Sequence, residues 1–265
     1  MLIQYVGKKL GGVLLVLVVL LPPTLAQINE SDTTKFQLNA SFAGRYQTGN
    51  VNLLSMRSKL ILSTYFADNF VFKSQNTLLY QELNDRKLDA DYSTRNFLYF
   101  KPTHTFYPLA LAFISGNFRR RIDQRTLLGV GETWNAKKGI NYLKLSMSIF
   151  YEQTKYNGNQ FNLSEYQGSA DVQLWRWALY ANGQFKLLDH RMTLNFSGFI
   201  EPAFENVENF RAEAELALVF KIIKGLSFRV EQLYFYEGLV VDGIDQSDSI
   251  LLFGFNYAFA SNSNK

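Results

Sequence analysis

The chain has 265 residues, a formal net charge of +4, no cysteine and two histidines. The lack of cysteine excludes disulfides, zinc–thiolate sites and thiol nucleophiles. The small charge, part of it carried by Lys8 and Lys9, leaves no basic footprint for a nucleic acid partner.

At the amino end, Lys8 and Lys9 precede an apolar run from Val13 to Leu21 that stops at Pro22-Pro23 and is followed by Thr24-Leu25-Ala26. The run is too short to span a bilayer as a helix, which takes about 20 apolar residues, and the double proline ends any helix there. Residues 1–26 are therefore expected to be a secretory leader cleaved after Sec export, not an anchor helix, leaving residues 27–265 as one domain.

Beyond the leader a period of two replaces any helical period. This fits a chain with 23 Phe and 15 Tyr but only 5 Pro, a composition that favours strands. About 12 strands are expected, near residues 35–46, 50–64, 70–83, 89–101, 107–118, 124–136, 140–156, 165–184, 191–204, 210–222, 225–237 and 248–260. In the seventh, Leu143, Leu145, Met147, Ile149 and Tyr151 alternate with Lys144, Ser146, Ser148, Phe150 and Glu152. The tenth and eleventh repeat the pattern, with Ala212 to Phe220 and Leu226 to Tyr236 forming the apolar faces. Connections alternate between tight turns, such as Phe66–Asn69 and Ile223–Gly225, and longer polar loops, such as Asn84–Leu88, Arg119–Gln124, Asn157–Ser164 and Leu239–Ser247.

An even number of antiparallel strands with short turns at one end and longer loops at the other reads as an up-and-down transmembrane β-barrel of the outer membrane. The polar faces carry Arg57, Lys59, Lys73, Arg95, Lys144, Asp171, Glu213, Glu215, Arg229 and Glu231, too many charges for a dry sandwich core. A barrel puts them in a wet or mutually paired lumen and turns the apolar face to lipid. Aromatic clusters at segment ends, Phe97 to Tyr107 and Tyr234 to Tyr236, suit interfacial girdles, as do Trp175 and Trp177. The final segment presents Leu251, Phe253, Phe255, Tyr257 and Phe259, the pattern of a strand read by the barrel assembly machinery, with six residues following Phe259.

Several of these stretches, in this order, resemble the YdiY-like family, described as salt-induced outer-membrane proteins built on a domain of unknown function. Gly44 to Asn50 is similar to its Thr/Ser-Gly-Asn turn, and Asp123-Gln124-Arg125 with Gly129-Val130-Gly131 to its Asp-x-Arg element and spaced glycines. Phe210 to Glu213, Lys224 to Phe228, Asp245 to Ser249 and Gly254 to Phe259 are similar to its closing run. The resemblance implies location and architecture and carries no reaction or ligand.

No catalytic constellation is legible. A lipid-facing hydrolase needs His and Ser together, whereas His104 and His190 lie in separate turns with no adjacent serine, and they make no metal-ligand spacing. The segment Asp242 to Asp248 resembles a calcium loop but lacks the closing glutamate, and three Asn-x-Ser sequons carry no meaning in a bacterial chain. Neither enzyme activity, metal nor cofactor is expected.

Two charge sets carry functional expectations. Arg57, Lys59, Glu213, Glu215, Arg229 and Glu231 would line the interior, either setting the selectivity of a narrow pore or pairing with one another to plug it. Arg119, Arg120 and Arg121, with Arg125, would sit at an outer loop beside lipopolysaccharide phosphates, which arginine matches well. The expected function is an integral outer-membrane barrel of structural or envelope-stress type. A passive channel for small solutes and a soluble periplasmic ligand carrier are the alternatives.

Overall fold

The computed structural model describes residues 29–31, 34–49, 51–67, 69–137, 141–189 and 191–261; the expected leader and His190 lie outside the described residues. Twelve strands are present: β1 (Phe36–Gln47), β2 (Leu53–Ala67), β3 (Phe70–Leu83), β4 (Arg86–Phe100), β5 (Phe106–Asn117), β6 (Ile122–Lys137), β7 (Tyr142–Tyr156), β8 (Asp171–Leu187), β9 (Met192–Pro202), β10 (Phe210–Lys221), β11 (Leu226–Glu237) and β12 (Ser247–Ser261). Each pairs antiparallel with its sequence neighbours, and β1 pairs with β12 to close the ring. Closure gives every strand a partner on both sides, the arrangement that removes sheet edges. We call the rim at which β1 begins and β12 ends the lower rim and the opposite one the upper rim.

The dyad pattern falls as the sequence leads one to expect. Leu145, Met147, Ile149 and Tyr151 point outward and exposed, whereas Lys144, Ser148, Phe150 and Glu152 are buried inside. Leu128, Val130, Leu216, Leu251, Phe253 and Phe255 continue the outer apolar belt. Aromatic pairs mark its margins: Phe70 with Phe100 at 5.1 Å and Phe106 with Trp134 at 6.2 Å low on the barrel, and Tyr151 with Trp175 at 5.5 Å near the upper rim.

Three local expectations change. Asn84–Leu88 is no long loop: Asn84 and Asp85 take φ of 47° and 61° and make a two-residue hairpin turn whose twist suits the flanking strands. The stretch 165–170 is not strand. It belongs to a connection between β7 and β8 with a short 3-10 turn at Ser164–Tyr166, because Phe161 bridges to Val241 in the loop before β12. Phe161, Leu239, Val241, Ala203 and Tyr156 bury one another there, so the upper loops fold together as a cap. Asp171, expected inside, is exposed at the upper end of β8, with Gln153 donating to its carboxylate.

The interior also departs from a uniformly wet lumen. Val71, Tyr99, Tyr107, Leu109, Leu111, Leu127, Phe150 and Ala178 form an apolar cluster on the inner wall between β3 and β8. Tyr99 and Tyr107 thus leave the expected girdle for the inside. Gly129 makes this packing possible, since a Cβ there would lie 2.4 Å from the Phe150 Cβ, far inside any van der Waals contact.

Candidate functional site: the charged interior

The inner wall sorts its charges into layers. At mid-height Lys59 on β2 reaches Glu215 on β10 at 2.6 Å and Glu231 on β11 at 3.8 Å. Arg229 joins the same two carboxylates at 2.6 Å and 3.0 Å, making a closed quartet. Beside it Arg95 donates two hydrogen bonds to Glu213, at 3.2 Å and 2.6 Å, the fork geometry that guanidinium offers a carboxylate. Of the six residues expected in the lumen, five are paired in this way. Arg57 lines the same interior but makes no ion pair with any described residue.

A second layer lies nearer the upper rim around Glu152, whose side chain is 1% exposed. Arg176 donates Nε–H to it at 2.7 Å, Arg211 stands at 2.8 Å and Arg125 at 3.4 Å. Thr154 donates its hydroxyl to the other carboxylate oxygen at 2.7 Å. Arg176 also donates to the backbone carbonyls of Glu201 and Asn209, at 2.9 Å and 2.6 Å, so its guanidinium is held on several sides. Arg211 continues to Glu201 at 2.6 Å, and Arg125 forks onto Glu237 at 2.7 Å and 3.0 Å.

The four arginines expected on one outer loop do not share a surface. Arg119 is half exposed and pairs with Asp248 at 3.1 Å, and Arg121 is exposed. Arg120 turns inward to Asp248 at 2.8 Å and Glu237 at 3.9 Å, and Arg125 is buried in the upper layer. Arg125 belongs to β6 and not to the loop, and it shares the inward parity of Leu127, Thr133 and Asn135; the register shift between Ile122 and Gln124 lies before it and turns Ile122 inward as well. A cavity of about 230 Å³ runs between the layers, from Lys59 and Arg229 up to Arg119 and Asp248.

The third layer, at the lower rim, includes a residue that periodicity does not single out. Glu30 precedes β1, yet it is 3% exposed inside the barrel. Lys144 lies 2.8 Å and Lys73 3.1 Å from its carboxylate, and Tyr107 donates its hydroxyl at 3.0 Å. Burial alone would raise its pKa; Lys144 and then Lys73 outweigh that and hold the carboxyl well below the usual glutamate range. A lowered carboxylate pKa stabilises the fold fully above the unfolded value near 4.5, and that stabilisation is lost as pH falls through the lowered one. The stability gap between the native chain and Glu30→Gln, measured by urea unfolding, should thus hold constant from neutrality to about pH 5 and close only in stronger acid.

His104 lies exposed in the turn between β4 and β5. Among the described residues no group of three His, Cys, Asp or Glu side chains is placed to hold a metal ion.

Comparison with known proteins fits this geometry. A family model described as protein of unknown function, DUF481, matches residues 31–259. No curated protein matches the chain. Among solved structures it is similar to the NanC porin, at 13% identity over 83% of this chain and 98% of that one, with a TM-score of 0.50. The translocator domain of the autotransporter NalP from Neisseria meningitidis aligns at 11% identity over 96% of both chains, with a TM-score of 0.48. At such identities the likeness to the porin is one of fold: an outer-membrane-type β-barrel.

Proposed function

We propose that this chain, which belongs to the DUF481 family of proteins of unknown function, is an integral outer-membrane barrel that serves the envelope as a closed structural element. The observation that carries this reading is the inside-out distribution of side chains. Leu128 and Val130 are each 66% exposed on the outer wall, whereas Arg176, Lys144 and Glu152 are among the most buried side chains of the molecule. Water would favour the reverse, and a bilayer around the outer belt makes it stable. Paired charges and an apolar cluster fill much of the interior, which supports closure over conduction.

In this reading residues 1–26 direct Sec export, the lower rim faces the periplasm, and β12 is the strand offered to the assembly machinery. Arg119 and Arg121 are then the arginines placed to meet lipopolysaccharide phosphates, and the YdiY-like, salt-induced group is the branch of the family this chain fits. The reading assigns no catalytic chemistry. Expressed protein should pellet with the outer membrane and run as a heat-modifiable band on gels with and without boiling. Release as a soluble protein without detergent would overturn the proposal in favour of a periplasmic carrier.

One observation favours a second reading, a small-solute channel: the cavity of about 230 Å³ and, on its wall, Arg57, which has no ion-pair partner among the described residues. Planar-bilayer recording separates the two, because a closed barrel gives no steady conductance and a channel gives one that Arg57→Glu alters.

A further inference from the structure

The lower-rim layer differs from the other two in the origin of its acid. Lys73 comes from β3, Tyr107 from β5 and Lys144 from β7, and all three are at least nine-tenths buried, at 4%, 0% and 1% exposure. The carboxylate on which they converge comes from none of the strands. Glu30 sits on a segment ahead of β1, and the described segment 29–31 holds its place without joining the ladders of the sheet. Tyr65 donates to the Glu30 carbonyl at 3.4 Å, Lys144 to the Asn29 side-chain oxygen at 2.5 Å and Gln37 to the Asn29 carbonyl at 3.4 Å. Ser31 donates to the Pro102 carbonyl and accepts from Asn135 at 3.3 Å.

Two buried ammonium groups that converge to 3.1 Å and 2.8 Å on one point favour a negative charge there, and the oxygens of a carboxylate accept from both. The tyrosine hydroxyl adds a directional donor that selects an oxygen acceptor. We propose that Lys73, Lys144 and Tyr107 form a carboxylate-binding site in the barrel wall, and that residues 29–31 are its intramolecular ligand, a plug seated through Glu30. A small free monocarboxylate takes the same site when the Glu30 side chain is removed. This inference rests on the barrel interior and not on the membrane location proposed above, so the two fail separately.

The absence of cysteine from the chain makes one test clean. In lipid-reconstituted Ser31→Cys, which keeps the Glu30 carboxylate, a bulky maleimide should label position 31 roughly tenfold or more slowly than in Glu30→Ala/Ser31→Cys, where the plug has lost its anchor. Labelling of both at the same rate overturns the plug. The second test reads the ligand class with acetate as probe. Glu30→Ala should lower the temperature at which the heat-modifiable band unfolds. Sodium acetate should restore it in a saturable way, while sodium chloride at equal ionic strength should not. The Glu30→Ala/Lys144→Met double variant should lose the acetate response. An unshifted transition in Glu30→Ala, or equal recovery with chloride, overturns the carboxylate site.

Discussion

Replacing Glu152 with glutamine is expected to destabilise the folded barrel by about 3–5 kcal/mol, the range seen when one partner of a buried ion pair is removed. Glu152 stands among Arg125, Arg176 and Arg211. Without its charge Arg125 keeps Glu237 and Arg211 keeps Glu201, but Arg176 is left without an acidic partner. Its other hydrogen bonds go to the two carbonyls and to the Asn209 side chain, which orient the guanidinium without neutralising it. The second substitution Arg176→Met should therefore recover part of the loss, since it removes the stranded cation along with its need for a partner. Urea unfolding in lipid vesicles, followed by tryptophan fluorescence, measures all three proteins. A Glu152→Gln loss below about 1 kcal/mol would mean that water reaches this layer and screens it as it screens a surface pair.

The second large effect concerns the outer wall. Val130 lies near the middle of β6, opposite Ala110 and Ile149 on its neighbours, and is 66% exposed. Val130→Arg should cost about 2–4 kcal/mol in a bilayer, whereas Tyr46→Arg near the upper end of β1 should cost at most about 1 kcal/mol, because the penalty follows membrane depth. In a water-soluble barrel both positions are ordinary surface, and either change would stay within about 0.5 kcal/mol. Equal, small effects at the two positions would remove the bilayer from the account.

The strand pattern was legible because period two is a local property. Leu145, Met147 and Ile149 announce their face whatever they pair with, and the same holds for Phe253 and Phe255 in β12. The mid-height lumen set was legible for the same reason: Lys59, Glu213, Glu215, Arg229 and Glu231 occupy regular inward positions. Which of them pair was not legible, because Lys59 and Glu215 are 156 residues apart and meet only once the ring closes. Arg125 reads with the loop arginines although it shares the inward parity of Leu127 and Thr133 within β6, because the run of neighbouring arginines outweighs the strand's own period. The upper cap was hidden because Phe161 and Leu163 lie in a stretch that reads as a polar loop and Tyr166 at the expected start of a strand, while all three pack in the cluster of the upper loops. Glu30 lay beyond any periodic argument. A single acidic residue ahead of the first strand has no neighbours from which its burial can be inferred, and its partners come from three strands spread over 72 residues, from Lys73 to Lys144.

The joint between β1 and β12 has seven aligned pairs, from Phe36↔Ser261 to Phe42↔Phe255, against nine to fourteen at the other joints of the ring. Beyond it Ala43–Gln47 pairs with β2 alone, and Gly254 passes so close that a Cβ would meet the Phe42 carbonyl at 2.6 Å. A ring comes apart at its weakest joint, so the order in which this molecule loosens is written into its two ends: β1 and β12 part first and the interior strands follow. Glu30 is then a tie-rod. It lies just ahead of the strand most ready to leave and fastens that end of the chain to β3, β5 and β7, away from the joint. A molecule that loses this brace keeps its strands but gives up its resistance to being unzipped.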